Sequence, residues 1–192
     1  MIELALDALF KRRDIMQNVA GSDRLFMTRW FLGFAPTDDP GEWRTNWFTR
    51  LMKRWLAPER NHHAYLHRMV MSDSDSDPHD HMWEFWTRVL WRSYDDHEDR
   101  LLAAAVDSDG WPVGLVRGEP SVDRLRLMSG RHRPAHHTHW VRLRDGKPAW
   151  TLVVRGPVVR DWGFRLGDGS WVPWREYLRF DGPDPYDPPE QT

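Results

Sequence analysis

One heptapeptide carries the strongest signal in this chain, His79-Asp80-His81-Met82-Trp83-Glu84-Phe85. Two histidines spaced two residues apart in an extended strand project from the same face, so one metal ion can contact both. A third histidine from a distant strand completes such a site. The run Pro134-Ala135-His136-His137-Thr138-His139 offers His139, whose face continues inward through Val141 and Leu143. The spacing therefore predicts a metal site formed by His79, His81 and His139.

Other polar side chains near these histidines are candidates for roles in the same site. Glu84 is a candidate fourth ligand, although a straight strand from His81 would turn it outward, so this role requires a bulge. Arg92, Tyr94 and His137 are candidates to orient a substrate or to move protons. Five other histidines lack partner spacing, and we expect them to be surface or hydrogen-bonded residues: His62, His63, His67, His97 and His132.

Composition limits the classes of site and partner. The chain has 192 residues, enough for one domain with a sizeable core. It has no cysteine, which excludes disulfides, a thiolate nucleophile and cysteine-ligated metals, and leaves His, Asp and Glu as the strong ligands. The net charge is −2 and the signs are interleaved, so neither a nucleic-acid surface nor a polybasic membrane surface is indicated. Without an apolar run of about 20 residues or a signal-peptide pattern, we expect a cytoplasmic protein.

The first sixty residues are predicted to be a helical extension that packs on the following domain. Apolar side chains at helical spacing predict an amphipathic helix over 3–18. A second helix is predicted to begin at Asp39-Pro40 and to end before Pro58. Its stripe at steps of four predicts one buried face, with docking to a membrane or to nucleic acid as the alternative, and consists of Trp43, Trp47, Leu51 and Trp55.

From residue 62 the pattern changes to short β-type runs broken by Gly, Pro, Asp and Ser, which is typical of a sandwich or barrel. The domain is predicted over 61–180, followed by a Pro-rich tail, 181–192, that is disordered or lies on the surface. Turns are predicted at 107–110 and at 144–147. The second turn predicts an antiparallel pair of 138–144 with 149–155. The predicted strands are 63–71, 81–91, 100–106, 112–117, 122–128, 138–144, 149–155, 158–166 and 170–173.

The histidine stretches resemble the two cupin motifs. The first cupin motif contains His-x-His with a Glu some residues later and ends in Val-Leu-x-Gly, and this chain has Val89-Leu90-Trp91-Arg92 at that end. The second reads Pro-x-Gly-x-x-His, and Pro134 to His139 reproduces it with His136 in place of glycine. Glu84 stands three residues after His81 rather than four or five. A site of three histidines without a carboxylate is similar to that of the thiol dioxygenases of the same superfamily.

A longer series of motifs resembles small uncharacterised cupin-like proteins of bacteria and bacteriophages. The resemblance spans about residues 60 to 178 and implies a double-stranded β-helix, or jelly-roll, barrel that binds a divalent ion through His79, His81 and His139. It also implies that a homodimer can form, as cupins often do. The matching runs are 65–68, 79–85, 133–135, 150–152, 156–157, 162–164 and 171–174.

The leading functional hypothesis is a metal-binding cupin that acts as an Fe(II)-dependent dioxygenase or oxygenase on a small polar molecule. Imidazole ligands suit several divalent transition metals, and an oxygenase favours Fe(II) over Zn, Mn or Ni. A Zn- or Mn-dependent isomerase or lyase is an alternative. Another is a non-catalytic, metal-stabilised binding module in a bacteriophage setting, which contacts a host protein or small ligand through the helix bearing Trp43, Trp47 and Trp55.

Overall fold

Antiparallel β-strands dominate the computed structural model, which describes residues 2–19, 22–33, 47–56, 62–73, 77–103 and 115–179. The helices are α1 (Ile2–Leu9), α2 (Trp47–Leu56) and α3 (Trp174–Tyr177). The strands are β1 (Lys11–Val19), β2 (Ser22–Gly33), β3 (His63–Met69), β4 (Phe85–Trp91), β5 (Tyr94–Glu98), β6 (Leu101–Ala103), β7 (Leu115–Arg117), β8 (Ser121–Leu125), β9 (Gly130–Arg133), β10 (His139–Leu143), β11 (Ala149–Arg155), β12 (Gly163–Arg165) and β13 (Trp171–Pro173). Over these ranges, no helix has the length and apolar character needed to cross a lipid bilayer.

Two layers of sheet hold the site. The larger sheet has the strand order β1-β2-β3-β11-β4-β9, and the smaller has the order β10-β5-β8. The strand pairs β12-β13 and β6-β7 are also antiparallel, and the backbone of His79 bridges β10 and β12. The predicted mainly β fold, with antiparallel sheets and a few short helices, is confirmed and is consistent with a jelly-roll barrel.

Strand alternation sends one set of side chains between the two layers. On β3, Tyr65, His67 and Met69 are buried on the inner face. One buried cluster joins both layers and consists of Met69, Val89, Tyr94, Leu125, Leu143 and Ala149. The outer face of the larger sheet is covered as well, since Trp30 and Ala64 pack with apolar side chains of α1 and α2.

The predicted helix over 3–18 is wrong beyond its first half. Helix α1 ends at Leu9, and β1 pairs with β2 over its whole length. Strand β2 in turn pairs with β3, so residues well before position 60 extend the larger sheet. Pairing with a neighbouring strand outweighs the helical spacing of a few apolar residues, because strand preference depends mainly on such tertiary context.

The tryptophan stripe of α2 faces away from the core, contrary to the prediction. The side chains of Trp47 and Trp55 are 75% and 76% exposed, and Leu51 is exposed too. The buried side of the helix presents Phe48 and Met52, which also stand four residues apart. The helix therefore has two apolar faces, of which the sheet covers one. Trp43 and the predicted start at Asp39-Pro40 lie outside the described residues.

The predicted hairpin of 138–144 with 149–155 does not form. Strand β10 pairs with β5 in the smaller sheet, whereas β11 pairs with β3 and β4 in the larger one. The connecting 3-10 turn, Arg144–Gly146, carries Asp145 and Gly146 at positive φ, as expected for a tight turn. It therefore joins two sheets. Strands β5 and β9 were not predicted, and the turn at 107–110 and the tail 181–192 lie outside the described residues.

Candidate metal centre

Three histidines from two distant parts of the chain converge between the sheets. One ring nitrogen each of His79, His81 and His139 lies within 4.8 Å of the corresponding nitrogen of the other two. Nε2 of His81 is 2.8 Å from Nε2 of His139. The structure thus brings together the three residues that the spacing selects.

Backbone pairing accounts for this convergence. His79 and His139 are opposed residues of an antiparallel bridge, joined by reciprocal hydrogen bonds of 3.0 and 2.9 Å. Opposed residues of antiparallel strands project to the same face. The amide of His81 donates to the carbonyl oxygen of Ala135 at 3.0 Å, which keeps this segment extended beside the second histidine run.

Asp80, between the two histidines of the first pair, anchors the segment from its other face. Its side chain is 1% exposed and accepts hydrogen bonds from the backbone amide of Gly163 at 2.8 Å and from Nε1 of Trp171 at 3.0 Å. Arg160 completes this contact through an ion pair of 2.5 Å. The loop and hairpin after β11 are thereby fixed against the segment that carries the histidines.

Burial keeps two of the histidines neutral. Burial lowers the pKa of His79, although the negative charge of nearby Asp73 acts to raise it. Burial also lowers the pKa of His81 well below its usual range. Aromatic side chains supply this apolar surrounding. The centre of the Phe85 ring lies 4.6 Å from the centre of the His81 ring, and the centre of the Phe164 ring lies 6.1 Å from the centre of the His79 ring. Neutral imidazoles are the form that binds a metal ion.

The third histidine is held by a carboxylate that sequence reasoning missed. Nδ1 of His139 lies 2.5 Å from Oδ1 of Asp96, and Arg133 donates to Oδ2 of Asp96 at 2.9 Å. Burial opposes charge on His139, yet Asp96 raises the pKa of this histidine. Burial likewise opposes charge on Asp96, but His139 and Arg133 bring its pKa below the ordinary value. The carboxylate thus holds a proton on Nδ1 and turns Nε2 toward the other histidines.

The donor set fits a divalent transition ion. Ring nitrogens about 2.1 Å from one ion lie roughly 3.0 to 3.4 Å apart in neighbouring octahedral or tetrahedral positions. Nε2 of His81 and Nε2 of His139, at 2.8 Å, are close to this separation. A carboxylate behind one ligand is the usual arrangement around metal-binding histidines. Asp96, His137 and His139 form a second close group. We interpret the Asp96 carboxylate of this group as a support for the ring of His139 and not as a second metal site, because Arg133 already donates a hydrogen bond to it.

His137 lies beside the trio and lines a cavity of about 390 Å³. Its Nε2 is buried and finds no hydrogen-bond partner among the described residues, while its Nδ1 is 3.7 Å from Oε1 of Glu98. Burial, followed by the charge of His139, lowers the pKa of His137 to about 4. The side chain is therefore a neutral base at pH 7 next to the histidine cluster.

Three other candidate residues lie away from the trio. The carboxylate of Glu84 is partly exposed and pairs with Nε2 of His132 at 3.0 Å. Arg92 is exposed at positive φ in the turn after β4. Tyr94 is buried in the apolar cluster opposite Leu143, four residues from His139 and thus about 13 Å away along the strand. Burial raises the pKa of Tyr94 above its ordinary value, so its hydroxyl stays protonated.

Comparisons with known proteins give likeness of fold only. No protein-family model matches the chain, and no curated protein matches it. Among solved structures, DMSP lyase DddQ from Ruegeria pomeroyi DSS-3 matches with 15% identity and a TM-score of 0.49, covering 88% of this chain and 67% of that one. Hydroxypropylphosphonic acid epoxidase from S. wedmorenis matches with 10% identity and a TM-score of 0.40, covering 76% and 55%. KdgF from Halomonas sp. matches with 12% identity and a TM-score of 0.39, covering 76% and 89%.

These three proteins have the cupin fold. The chain spans little more than half the length of the epoxidase structure. Every one of these TM-scores is below 0.5.

Proposed function

We propose that this protein is a metal-binding cupin that holds one divalent transition ion through His79, His81 and His139. The observation that carries the proposal is the convergence of three ring nitrogens within 4.8 Å of one another. Asp96 supports it, because a carboxylate on Nδ1 leaves the opposite nitrogen of His139 as the ligand atom. Glu84 is not part of the proposed ligand set, since its carboxylate pairs with His132.

We further propose an Fe(II)-dependent dioxygenase or oxygenase that acts on a small polar molecule. Bound iron would supply redox chemistry with oxygen, and three protein ligands would leave further coordination positions for small molecules. The chain itself excludes water from one side of the site through Phe85 and Phe164. His137 is the group that we propose to accept a proton, because its Nε2 is buried and the centre of its ring lies 5.0 Å from the centre of the His139 ring.

Metal analysis is the direct test. Protein purified without a histidine tag should contain about one equivalent of a transition metal, or should take up one Fe(II) anaerobically. Electron paramagnetic resonance after addition of nitric oxide should then detect ferrous iron with an accessible position. The variant His81→Ala should lose this uptake, whereas His132→Ala, which changes an exposed imidazole, should retain it. Failure of the wild-type protein to bind any transition metal contradicts the proposal.

A Zn- or Mn-dependent isomerase or lyase uses the same ligands with a Lewis-acid metal. Metal content and the response to nitric oxide separate this alternative from the oxygenase. Full activity with zinc and none with iron would favour the lyase or isomerase.

A binding module is the second candidate, and the exposed stripe of α2 favours it. Trp47, Leu51 and Trp55 present an apolar surface to solvent, and such surfaces often mark interaction sites. If the metal only stabilises this module, chelation should lower the melting temperature strongly, because the binding free energy is then folding free energy. An enzyme with a preformed site should lose activity on chelation and keep its fold. The double variant Trp47→Ser/Trp55→Ser should abolish partner binding only in the binding module.

A further inference from the structure

Two turns at one end of the sheets form an exposed apolar surface. The first turn follows β4, and the second connects β8 to β9. The amide of Met128 donates to the carbonyl oxygen of Val89 at 2.8 Å, and the amide of Val89 donates to that of Ser129 at 2.9 Å, so the two turns lie side by side. Four large apolar side chains are exposed on them and are called the apolar tip: Leu90, Trp91, Leu127 and Met128.

Arginine side chains surround the apolar tip. Arg88 precedes it on the outer face of β4, Arg92 follows it in the first turn, and Arg126 begins the second turn. These three side chains are exposed, and none of the ion pairs that the described residues form involves them. Charges interleave along the whole chain, but folding brings together two runs, 88–93 and 124–131, that hold five arginines and no acidic residue. The surface is therefore both apolar and positively charged.

The backbone of both turns is unusual for the side chains that it carries. Arg92 and Met128 have φ angles of 63° and 64°, a left-handed conformation that glycine adopts without strain and large side chains rarely adopt. Glycine at either position would relieve the backbone but would remove a side chain from the tip or from the arginines around it. Strained positions of this kind concentrate at functional sites.

The composition of this surface favours a lipid partner over three other partners. Nucleic-acid bases stack on aromatic rings, whereas three of the four side chains of the tip are not aromatic. A stable protein interface takes about 20 to 30 residues a side, more than two short turns supply. A second copy of the chain would place arginine against arginine. In a bilayer interface, by contrast, apolar side chains enter below the headgroups, tryptophan lies at headgroup level and arginine attracts anionic lipids.

We propose that this end of the molecule docks on an anionic lipid surface. The apolar tip enters the interfacial region, and Arg88, Arg92 and Arg126 contact the headgroup phosphates. Strand β10 runs from His139 to Leu143, which pairs with Tyr94 just after the first turn. His139 is thus about 13 Å further along that strand, and the histidine trio lies away from the lipid. The proposal does not depend on a metal in that site.

Sedimentation with vesicles tests the proposal on the full chain. The protein should sediment with vesicles of phosphatidylcholine mixed with phosphatidylglycerol, and much less with phosphatidylcholine alone. Added salt should weaken the binding, because it screens exposed charges. Trp91→Ser/Leu127→Ser should lower the partition coefficient at least tenfold. Arg92→Gln/Arg126→Gln should lower it roughly 25-fold, since each arginine near an anionic surface contributes about fivefold.

Matched variants control for lost charge and lost apolar surface. Arg13→Gln/Arg24→Gln removes the same charge from exposed positions of β1 and β2 and should bind vesicles like the wild type. Val158→Ser/Val159→Ser removes two exposed apolar side chains next to the segment that carries His81 and should also bind like the wild type. Equal urea midpoints of these variants and the two tip variants show that the fold is kept.

The chain has no cysteine, so single labels can report which end meets the lipid. Leu127→Cys carrying an environment-sensitive dye should shift its emission to the blue on mixed vesicles. Val159→Cys, whose parent side chain is 66% exposed against 58% for Leu127, should not shift. A shift at position 159 alone would overturn the proposed orientation.

Three results overturn the proposal as a whole. The first is a wild-type protein that binds neither kind of vesicle, and the second is unchanged vesicle binding by both tip variants. The third is binding to another partner without vesicle binding. A single-stranded oligonucleotide bound in an arginine-dependent manner would assign the surface to nucleic acid, and a dimer that Trp91→Ser/Leu127→Ser dissociates in sedimentation velocity would assign it to self-association.

Discussion

Asp96 and His139 form a buried pair in which a carboxylate oxygen lies 2.5 Å from Nδ1. The opposite nitrogen of the same imidazole lies 2.8 Å from Nε2 of His81. Asp96 thereby holds the ring of His139 through Nδ1, while Nε2 of the same ring faces the other histidines. Carboxylates in this position fix the ring orientation and the tautomer of metal-binding histidines.

Replacing this carboxylate should weaken metal binding. We expect Asp96→Asn to lower the affinity for Zn²⁺ or Fe(II) about 10- to 100-fold, because the amide neither fixes the tautomer nor balances the positive charge. Competition with a chelating indicator measures the affinity. Asp95→Asn is the matched control, since this neighbour contacts the exposed side chain of Arg124. Equal affinities of the two variants would show that Asp96 has no such role.

Burial of His67 should make stability depend on pH. Its folded pKa lies well below the ordinary 6.5, so the unfolded chain binds more protons between the two values. The free energy of unfolding is therefore highest, as far as His67 is concerned, above about pH 6.5. It decreases as the pH falls toward the folded pKa, by at most about 1.4 kcal/mol per pH unit. In His67→Gln, which keeps an acceptor for Arg29, the loss between pH 7 and 5 should be smaller than in the wild type.

Urea unfolding of chelated protein at several pH values measures this difference. His132→Gln is the control, because it removes an exposed imidazole that pairs with Glu84. Parallel curves for the wild type and His67→Gln would rule out a contribution from the buried imidazole.

Close packing at Gly163 should make even one methyl group costly. A Cβ built there would lie 2.2 Å from the carbonyl oxygen of Val172 and 2.8 Å from the ring of Trp171. The backbone of β12 must shift, and we expect Gly163→Ala to reduce the free energy of unfolding by about 1–3 kcal/mol. Gly167→Ala places its methyl group in open space and should be nearly neutral. Similar urea midpoints for both variants would contradict the prediction.

Asp80 should contribute to stability and to metal binding together. Asp80→Asn keeps the shape but removes the charge that Gly163, Trp171 and Arg160 contact. We expect a loss of about 2–3 kcal/mol, as for hydrogen bonds to a charged group, and weaker metal uptake because the flanking histidines lose their anchor. Asp161→Asn, an exposed neighbour, serves as the control. Unchanged denaturation of Asp80→Asn would refute this role.

Local sequence spacing was sufficient to predict the three histidines, but it did not predict Asp96, the carboxylate that holds one of them. His79 and His81 share a face through strand geometry, and the β character after residue 62 follows from short β-type runs broken by Gly, Pro, Asp and Ser. Asp96 was missed because β5, with the sequence Tyr-Asp-Asp-His-Glu, lacks an apolar pattern. The alternation is present in the burial of Tyr94 and Asp96, but pairing with a strand some forty residues later decides which face is inward.

The same limit explains the two errors in the N-terminal part. On α2, Trp47 and Phe48 begin two apolar faces with equal helical spacing, and only the shape of the sheet beneath selects the second one. On β1, partners such as Thr28, whose hydroxyl donates to Asp14, come from the following strand. Neither choice is encoded in the segment itself.

The reciprocal backbone hydrogen bonds between His79 and His139 affect how readily a bound ion exchanges. Because folding of the sheets already fixes these two residues opposite each other, an arriving ion has little chain entropy to remove. Chelation followed by dialysis against a different divalent cation should therefore exchange the bound metal reversibly, with no refolding step between.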